Sequence, residues 1–237
     1  MIITFKRIKS LFLGLSIYTD ICNVNFFSHY YFDKLENNPI HNFGLLTPDL
    51  LRNFTPNLYD KKKIHLETLA EDWKMGIHQH ISRDQSFHNS EFFKAVYNES
   101  HESVKSCFQT LGIPRYWFAL HVWIEMLLDK VLIQENTEEL HQFYDELNQI
   151  KNHIPDLLQQ IDHQNIEQFQ HRMNRFLESK YLFHYKEHSG IIYGLNRVYI
   201  QVKASTVEWN SDQRDALIIE SQKLENSIFK NFHHLLT

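Results

Sequence analysis

The sequence is poor in glycine and proline, with six glycines and five prolines among 237 residues. These residues most often mark turns and end secondary structure elements, so their scarcity favours helices over many short strands. Hydrophobic residues make up 43% of the chain and aromatic residues 14%, which is typical of a folded protein with a substantial core. No internal repeat, low-complexity linker or alternation of strands and helices is present. The sequence therefore predicts an all-α fold in a single helical domain.

Cysteine, positive charge and long apolar runs are scarce as well. Cys22 and Cys107 lie far apart and outside any Cys-x-x-Cys pattern, which argues against a disulfide framework or a cysteine zinc site and favours a cytoplasmic location. The formal net charge of −5 argues against a nucleic-acid partner, because such proteins usually present a basic face. No segment approaches the roughly 18 apolar residues of a membrane-spanning helix, so we expect no membrane insertion.

The first 23 residues differ from the rest of the chain. Lys6, Arg7 and Lys9 precede a short apolar run at residues 11–18, which faintly imitates a signal peptide. No small-residue cleavage site follows this run. We therefore interpret residues 1–23 as a poorly ordered N-terminal extension and residues 24–237 as the helical domain.

Side chains that can bind a metal recur at every fourth residue within residues 76–88. His80, Asp84 and His88 share one face if this segment is helical. Imidazole and carboxylate groups are common ligands of divalent metals, and a helix presents them at fixed separation. His78 lies round the helix from this row and is a secondary candidate. Because the chain has 16 histidines, chance could also produce such a row, and a capped or solvated helix is the alternative.

A second polar row lies in the most apolar segment, which we predict to be a buried helix from Tyr116 to Gln134. His121, Glu125 and Asp129 lie four residues apart on it. A buried carboxylate is costly unless it is compensated, so we expect Glu125 to be buried, to face the His80 segment and to be paired, protonated or metal-bound. An alternative explanation, an ion pair with a lysine or arginine at the helix edge, suits Asp129 better than Glu125.

Two other charged segments have simple local explanations. Thr47 resembles an N-cap with Pro48 at the first helical position, which would place Asp49 in the first turn of a helix. The helix dipole stabilises a carboxylate there. The basic run at residues 61–63 is more typical of a solvated loop than of a binding site.

Four segments, taken in order, carry a family resemblance. Val24-Asn25-Phe26-Phe27-Ser28-His29 is similar to an opening Met-Asn-Phe-Leu-x-His, with valine at the place of the initiator methionine. Residues 44–49 match Gly-x-Leu-x-x-Asp, residues 76–84 match Gly-x-x-x-His-x-x-x-Asp, and residues 181–195 are similar to a closing helix. Because of these four motifs, residues 24–205 resemble the acyl-carrier-protein phosphodiesterase family, whose members are relatives of the HD-domain metal phosphohydrolases.

The resemblance implies an HD-domain-like helix bundle with manganese- or magnesium-dependent phosphodiesterase activity, iron being possible, that releases 4'-phosphopantetheine from holo-acyl carrier protein. The metal ligands that it implies are His29, Asp49, His80 and Asp84. His88 and Glu125 would complete the metal set or transfer a proton. An acidic carrier protein would need a basic patch, for which the candidates are Arg52, Lys61, Lys62, Lys63 and Arg83.

The chain departs from the family pattern at two positions. His88 lies where the family usually has a further aspartate, and Glu125-Met126 lies where members often show an Asp-His pair. Three alternatives therefore accompany the implied activity. They are a metal phosphohydrolase acting on a nucleotide or another small phosphoester, a non-catalytic helical binding protein, and a core in which His80 and Asp84 only form hydrogen bonds.

Overall fold

The computed structural model describes residues 26–51, 69–160, 166–201 and 208–235. The regular structure within these ranges is helical, without any strand, which confirms the predicted all-α fold. The extension predicted for residues 1–23 lies outside the described residues. Among the described helices, none combines the length and the apolar character that crossing a bilayer requires.

The helices have the following bounds, in chain order: α1 (Phe26–Asp33), α2 (Pro39–Leu51), α3 (Glu71–Asn89), α4 (Glu91–Thr110), α5 (Tyr116–Glu135), α6 (Thr137–Ile150), α7 (Ile154–Gln159), α8 (Ile166–Ser179), α9 (His188–Gln201) and α10 (Ser211–Asn231). Short 3-10 helices occupy Tyr181–Lys186 and Phe232–Leu235. The predicted buried helix from Tyr116 therefore extends one residue beyond its expected end.

Side-chain caps account for two of these boundaries. Ser90 separates α3 from α4, and its hydroxyl accepts a hydrogen bond of 3.1 Å from the backbone N–H of Phe93. Asn210 begins α10 through a capping box, in which its side chain accepts from the Gln213 N–H and the Gln213 side chain accepts from the Asn210 N–H. Each cap satisfies backbone donors that the first turn of a helix leaves unpaired.

The predicted helix start at Thr47 is wrong. Thr47 and Pro48 lie inside α2, which begins at Pro39. The Thr47 hydroxyl donates to the Phe43 carbonyl oxygen one turn earlier and accepts from the Trp73 indole N–H, each at 2.8 Å. Asp49 consequently lies ten residues beyond the start of its helix and not in the first turn, so the N-terminal end of the helix dipole does not stabilise its carboxylate.

Helix α5 lies at the centre of the core. Its residues 122–133 are all buried, as its apolar sequence predicts. It contacts α1, α4, α9 and α10, and nearly all buried apolar side chains of the described residues form one continuous cluster. The two polar rows found in the sequence therefore lie on α3 and on the central helix α5.

Helices α2 and α3 pack backbone against backbone through two glycines. A Cβ atom on Gly44 would lie 2.5 Å from the Trp73 carbonyl oxygen and 2.9 Å from the Cα of Gly76. A Cβ on Gly76 would in turn lie 2.8 Å from the Cα of Gly44. Only glycine permits this approach at both positions. Because Asp49 follows Gly44 on α2 and His80 follows Gly76 on α3, the crossing sets the separation of these two side chains.

Candidate metal centre

Three helices bring together the four metal ligands that the resemblance implies. His29 comes from α1, Asp49 from the end of α2, and His80 and Asp84 from α3. The Nε2 atom of His29 lies 3.3 Å from Asp84 Oδ1. The Nε2 atom of His80 lies 3.9 Å from Asp49 Oδ1 and 3.9 Å from Asp84 Oδ2. His29, His80 and Asp84 thus form one group whose ligand atoms all lie within 4.8 Å of one another, although His29 is 55 residues from Asp84 in the sequence. Asp49 is not a member of this group and borders it at 3.9 Å from His80.

The orientation of the buried His80 ring is set by a backbone carbonyl. His80 Nδ1 lies 2.7 Å from the carbonyl oxygen of Leu45, which can only accept a hydrogen bond. In the neutral ring Nδ1 therefore carries the hydrogen, and Nε2 presents its lone pair towards Asp49 and Asp84. Metal-binding histidines commonly have this arrangement, in which a second hydrogen bond orients the ring and selects the tautomer.

His29 is a buried imidazole, only 2% exposed, that stacks on the ring of His80 with a centroid separation of 3.9 Å. Among the described residues no hydrogen-bond partner faces its Nδ1 atom. A polar ring in the interior normally has its nitrogens satisfied, because burial without a partner is costly. The site is therefore compatible with an additional polar species between the side chains.

The two carboxylates give the site its negative charge. Burial alone would raise the pKa of Asp84, but its contact with His29 and the charge of His80 outweigh burial and hold that pKa well below its usual range. Asp49 is buried as well, and it lies far from the N-terminus of α2, where a helix dipole would stabilise a carboxylate. A divalent cation would neutralise two such carboxylates and make their burial less costly.

The separations also fit a metal ion. With bonds of about 2.1 Å, ligand atoms on adjacent octahedral positions lie about 3 Å apart and those on opposite positions about 4 Å apart. The observed distances of 3.3 Å and 3.9 Å fall within this interval. At 3.9 Å the contacts of His80 Nε2 with the carboxylates are longer than hydrogen bonds, so hydrogen bonding explains them less well.

A second cluster lies one turn further along α3. Glu125 on α5 is buried, as expected, and its Oε1 atom lies 2.8 Å from His88 Nε2 and 3.0 Å from His121 Nε2. Burial alone would raise the pKa of Glu125, but the charges and hydrogen bonds of His121 and His88 lower it to about 2. Burial likewise acts to lower the pKa of His88, yet Glu125 and then Asp84 raise it above its ordinary value.

The ion pair with lysine or arginine predicted for Asp129 is wrong. Its buried carboxylate accepts the backbone N–H groups of Phe27 and Ser28, at 3.1 Å and 2.7 Å. These N–H groups belong to the first turn of α1, which has donors unpaired within the helix. Burial raises the pKa of Asp129 to about 8, although the two N–H groups favour its ionised form. Asp129 thus anchors α1 at Ser28, the residue directly before His29.

Of the residues predicted to form a basic patch, only Arg83 lies among the described residues. Arg83 lies on α3, where its guanidinium Nε donates to Asp33 Oδ2 at 2.8 Å, so its charge is already paired. The other candidates, Arg52 and the lysines at 61–63, lie outside the described residues. His78, the secondary metal candidate, is exposed and has no place in either cluster.

His121 is the site residue that sequence reasoning did not assign. It was visible as a member of the polar row on α5, and its spacing of four residues from Glu125 repeats the spacing of His80 and Asp84. That repetition is the signal that would have identified it. Its position opposite His88 depends on how α3 and α5 pack, which spacing alone does not encode.

Comparisons of this chain with models of protein families, with curated proteins and with solved structures found no match. The resemblance to acyl-carrier-protein phosphodiesterases and its HD-domain-like fold therefore stay predictions from the sequence phrases. The structure itself establishes two groups of histidine and carboxylate side chains whose ligand atoms are close enough to hold a metal ion.

Proposed function

We propose that this protein is a divalent-metal-dependent phosphodiester hydrolase. The observation that supports this proposal most is the convergence of His29 on α1 with His80 and Asp84 on α3, with Asp49 on α2 3.9 Å from His80. Two neutral imidazoles and two carboxylates form a ligand set suited to manganese, magnesium or iron. When bound, such an ion would supply Lewis-acid chemistry at a phosphoryl group and at water.

The exposure of the ligands favours a catalytic site over a structural one. His29, His80 and Asp49 are buried, whereas the side chain of Asp84 is 31% exposed. The nearby His88 is also partly exposed. The ligand set is thus enclosed by protein on one side and accessible on the other. Catalytic metal sites need such an open position, whereas structural sites are closed by protein ligands on all sides.

The substrate that we propose is holo-acyl carrier protein, with release of 4'-phosphopantetheine in the cytoplasm. This choice rests on the sequence phrases that contain all four ligands. The phosphodiester would approach from the side of Asp84, where the site is accessible. Any basic contacts to an acidic carrier protein would come from Arg52 and the lysines at 61–63, because Arg83 is paired with Asp33.

The test is a hydrolysis assay with holo-acyl carrier protein and Mn²⁺, with mass spectrometry to follow loss of the phosphopantetheine group. We expect release by the wild type and a loss of about 100-fold or more in His80→Ala, which removes a ligand. His78→Ala is the matched control, because it removes an exposed histidine from the same helix, two residues away. Its activity should equal that of the wild type.

A second assay uses bis-p-nitrophenyl phosphate, a small phosphodiester. Hydrolysis of this compound without release of phosphopantetheine would refute the carrier-protein substrate and favour the small-phosphoester alternative. Inactivity of the metal-loaded protein towards both compounds would refute the hydrolase proposal. The hypothesis of a non-catalytic binding protein would then be favoured.

A further inference from the structure

The cluster of His88, His121 and Glu125 has the composition and the spacing of a metal site in its own right. Two imidazoles and one carboxylate are a frequent ligand set for zinc, iron and manganese. The two Nε2 atoms lie 2.8 Å and 3.0 Å from the same carboxylate oxygen. These separations match the roughly 3 Å between adjacent ligand atoms around an ion with bonds of about 2.1 Å.

Neighbouring aromatic rings hold the two imidazoles in place. Phe93, at the start of α4, packs edge-on against His88 with a centroid distance of 5.2 Å and against His121 at 5.1 Å. The imidazole rings themselves lie 4.5 Å apart. Both histidine side chains are nevertheless 28% exposed, so solvent reaches both rings.

A histidine–carboxylate pair on the protein surface shows what this cluster adds. His101 Nδ1 lies 3.0 Å from Glu102 Oε1, but that carboxylate is largely exposed, and among the described residues it belongs to no group with a second imidazole. Glu125, by contrast, is buried and contacts two imidazoles from two different helices. The pair at His101 is a surface ion pair, whereas the packing of two helices brings two imidazole nitrogens to one buried carboxylate oxygen of Glu125.

The position of the cluster relates it to the first site. His80, Asp84 and His88 occupy successive turns of one face of α3, so the two groups of ligands are neighbours on the same helix. Two adjacent divalent cations, about 4 Å apart, are a recurrent arrangement in enzymes that hydrolyse phosphate esters. The cations together stabilise the attacking and the leaving oxygen of the displacement.

We propose that His88, His121 and Glu125 bind a second divalent cation beside the first site, so that the protein contains a two-metal centre. This proposal deepens the proposed function and rests on it. It assigns His88 and Glu125 to metal binding rather than to proton transfer, and it adds His121 as a ligand.

The test is equilibrium dialysis of the wild type and variants against Mn²⁺, followed by elemental analysis of the bound metal. We expect two ions per chain in the wild type and one ion in His121→Ala, with the remaining ion bound at unchanged affinity. His101→Ala, the matched control with a similar histidine–carboxylate pair, should retain two ions. Circular dichroism would establish that each variant is folded.

Glu125→Gln provides a second test that preserves the size of the buried side chain. It should also bind one ion, because a neutral amide is a weaker ligand than a carboxylate. The electron paramagnetic resonance spectrum of the wild type should show magnetic coupling between the two Mn²⁺ ions. This coupling should be absent from the spectra of His121→Ala and Glu125→Gln.

The outcomes separate this proposal from the proposed function. One ion per chain in the wild type, retained in His121→Ala and lost in His80→Ala, would refute the second site and leave the first site intact. No bound ion in the wild type would refute both.

Discussion

The contact between Gly44 and Gly76 makes the metal centre sensitive to a single methyl group. In Gly44→Ala the new Cβ would lie 2.5 Å from the Trp73 carbonyl oxygen, whereas ordinary contacts begin at 3.4 Å. The atoms that it meets belong to the backbone, so no change of rotamer can relieve the clash. Helices α2 and α3 must therefore separate by about 1 Å.

The expected loss of stability is the difference between two opposing effects. Overpacking of a tight interior contact costs about 3 kcal/mol when side chains cannot adjust. Replacement of a helical glycine by alanine stabilises the helix by about 1 kcal/mol, because alanine has the higher helix propensity. The free energy of unfolding should thus fall by about 2 kcal/mol. For a chain of this size the midpoint of thermal unfolding should fall by roughly 4–8 °C.

The same displacement should weaken metal binding. It separates Asp49 on α2 from His80 on α3, and metal–ligand distances tolerate changes of only about 0.2 Å. We expect the affinity for Mn²⁺, measured by calorimetric titration, to fall at least about tenfold. Gly112→Ala is the matched control, because Gly112 has a positive φ of 66° but no atom of the described residues within 4 Å of its Cβ position. It should cost about 1 kcal/mol of stability without a change in Mn²⁺ affinity.

Two results would refute this reasoning. One is a Gly44→Ala protein with the unfolding midpoint and the Mn²⁺ affinity of the wild type, which would show that the helices are not in close contact. The other is an equal loss of Mn²⁺ affinity in Gly112→Ala, which would show that the effect comes from general destabilisation.

Three further predictions concern single side chains, each checked by chemical unfolding of the metal-free protein. Since the pKa of Asp129 is about 8 when folded and near 4 when unfolded, its contribution to stability is complete below about pH 4 and is lost as the pH rises through about 8. The stability of the wild type relative to Asp129→Asn should therefore decline over this interval, and parallel pH curves would contradict this. Thr47→Val leaves the buried Trp73 N–H without its acceptor and should cost about 1–3 kcal/mol; a neutral effect would show that this hydrogen bond is absent. Arg83→Ala removes the guanidinium that pairs with Asp33, whose side chain is only 3% exposed, and should cost about 1–3 kcal/mol; a neutral effect would show that the Gln79 amide alone satisfies this carboxylate.

The helices were predictable where their signals are local. Ser90 caps α4 with its own side chain, and the apolar sequence of α5 indicates burial along its whole length. The start of α2 was not predictable in this way. Thr47-Pro48-Asp49 is typical of a helix start, but the Thr47 hydroxyl bonds Trp73 on α3, a contact 26 residues away. This tertiary contact is compatible with a helix that continues through the proline.

The site was predictable where its residues share one helix. The spacing of four residues identified His80 and Asp84, whereas His29 and Asp49 were found only through the family phrases, because they lie on other helices. The partner of Asp129 is the backbone of α1, which no pattern of charged side chains encodes. His121 was left unassigned for a similar reason, since its role depends on the packing of α5 against α3.

The most direct test of the first metal site is a crystal structure of the protein grown with Mn²⁺, with diffraction data collected to locate manganese by its anomalous scattering. We predict an anomalous peak about 2.2 Å from the Nε2 atoms of His29 and His80 and from carboxylate oxygens of Asp49 and Asp84. The peak should vanish in crystals of Asp84→Asn grown under the same conditions. An ordered set of these four side chains without manganese between them, at saturating Mn²⁺, would contradict the account.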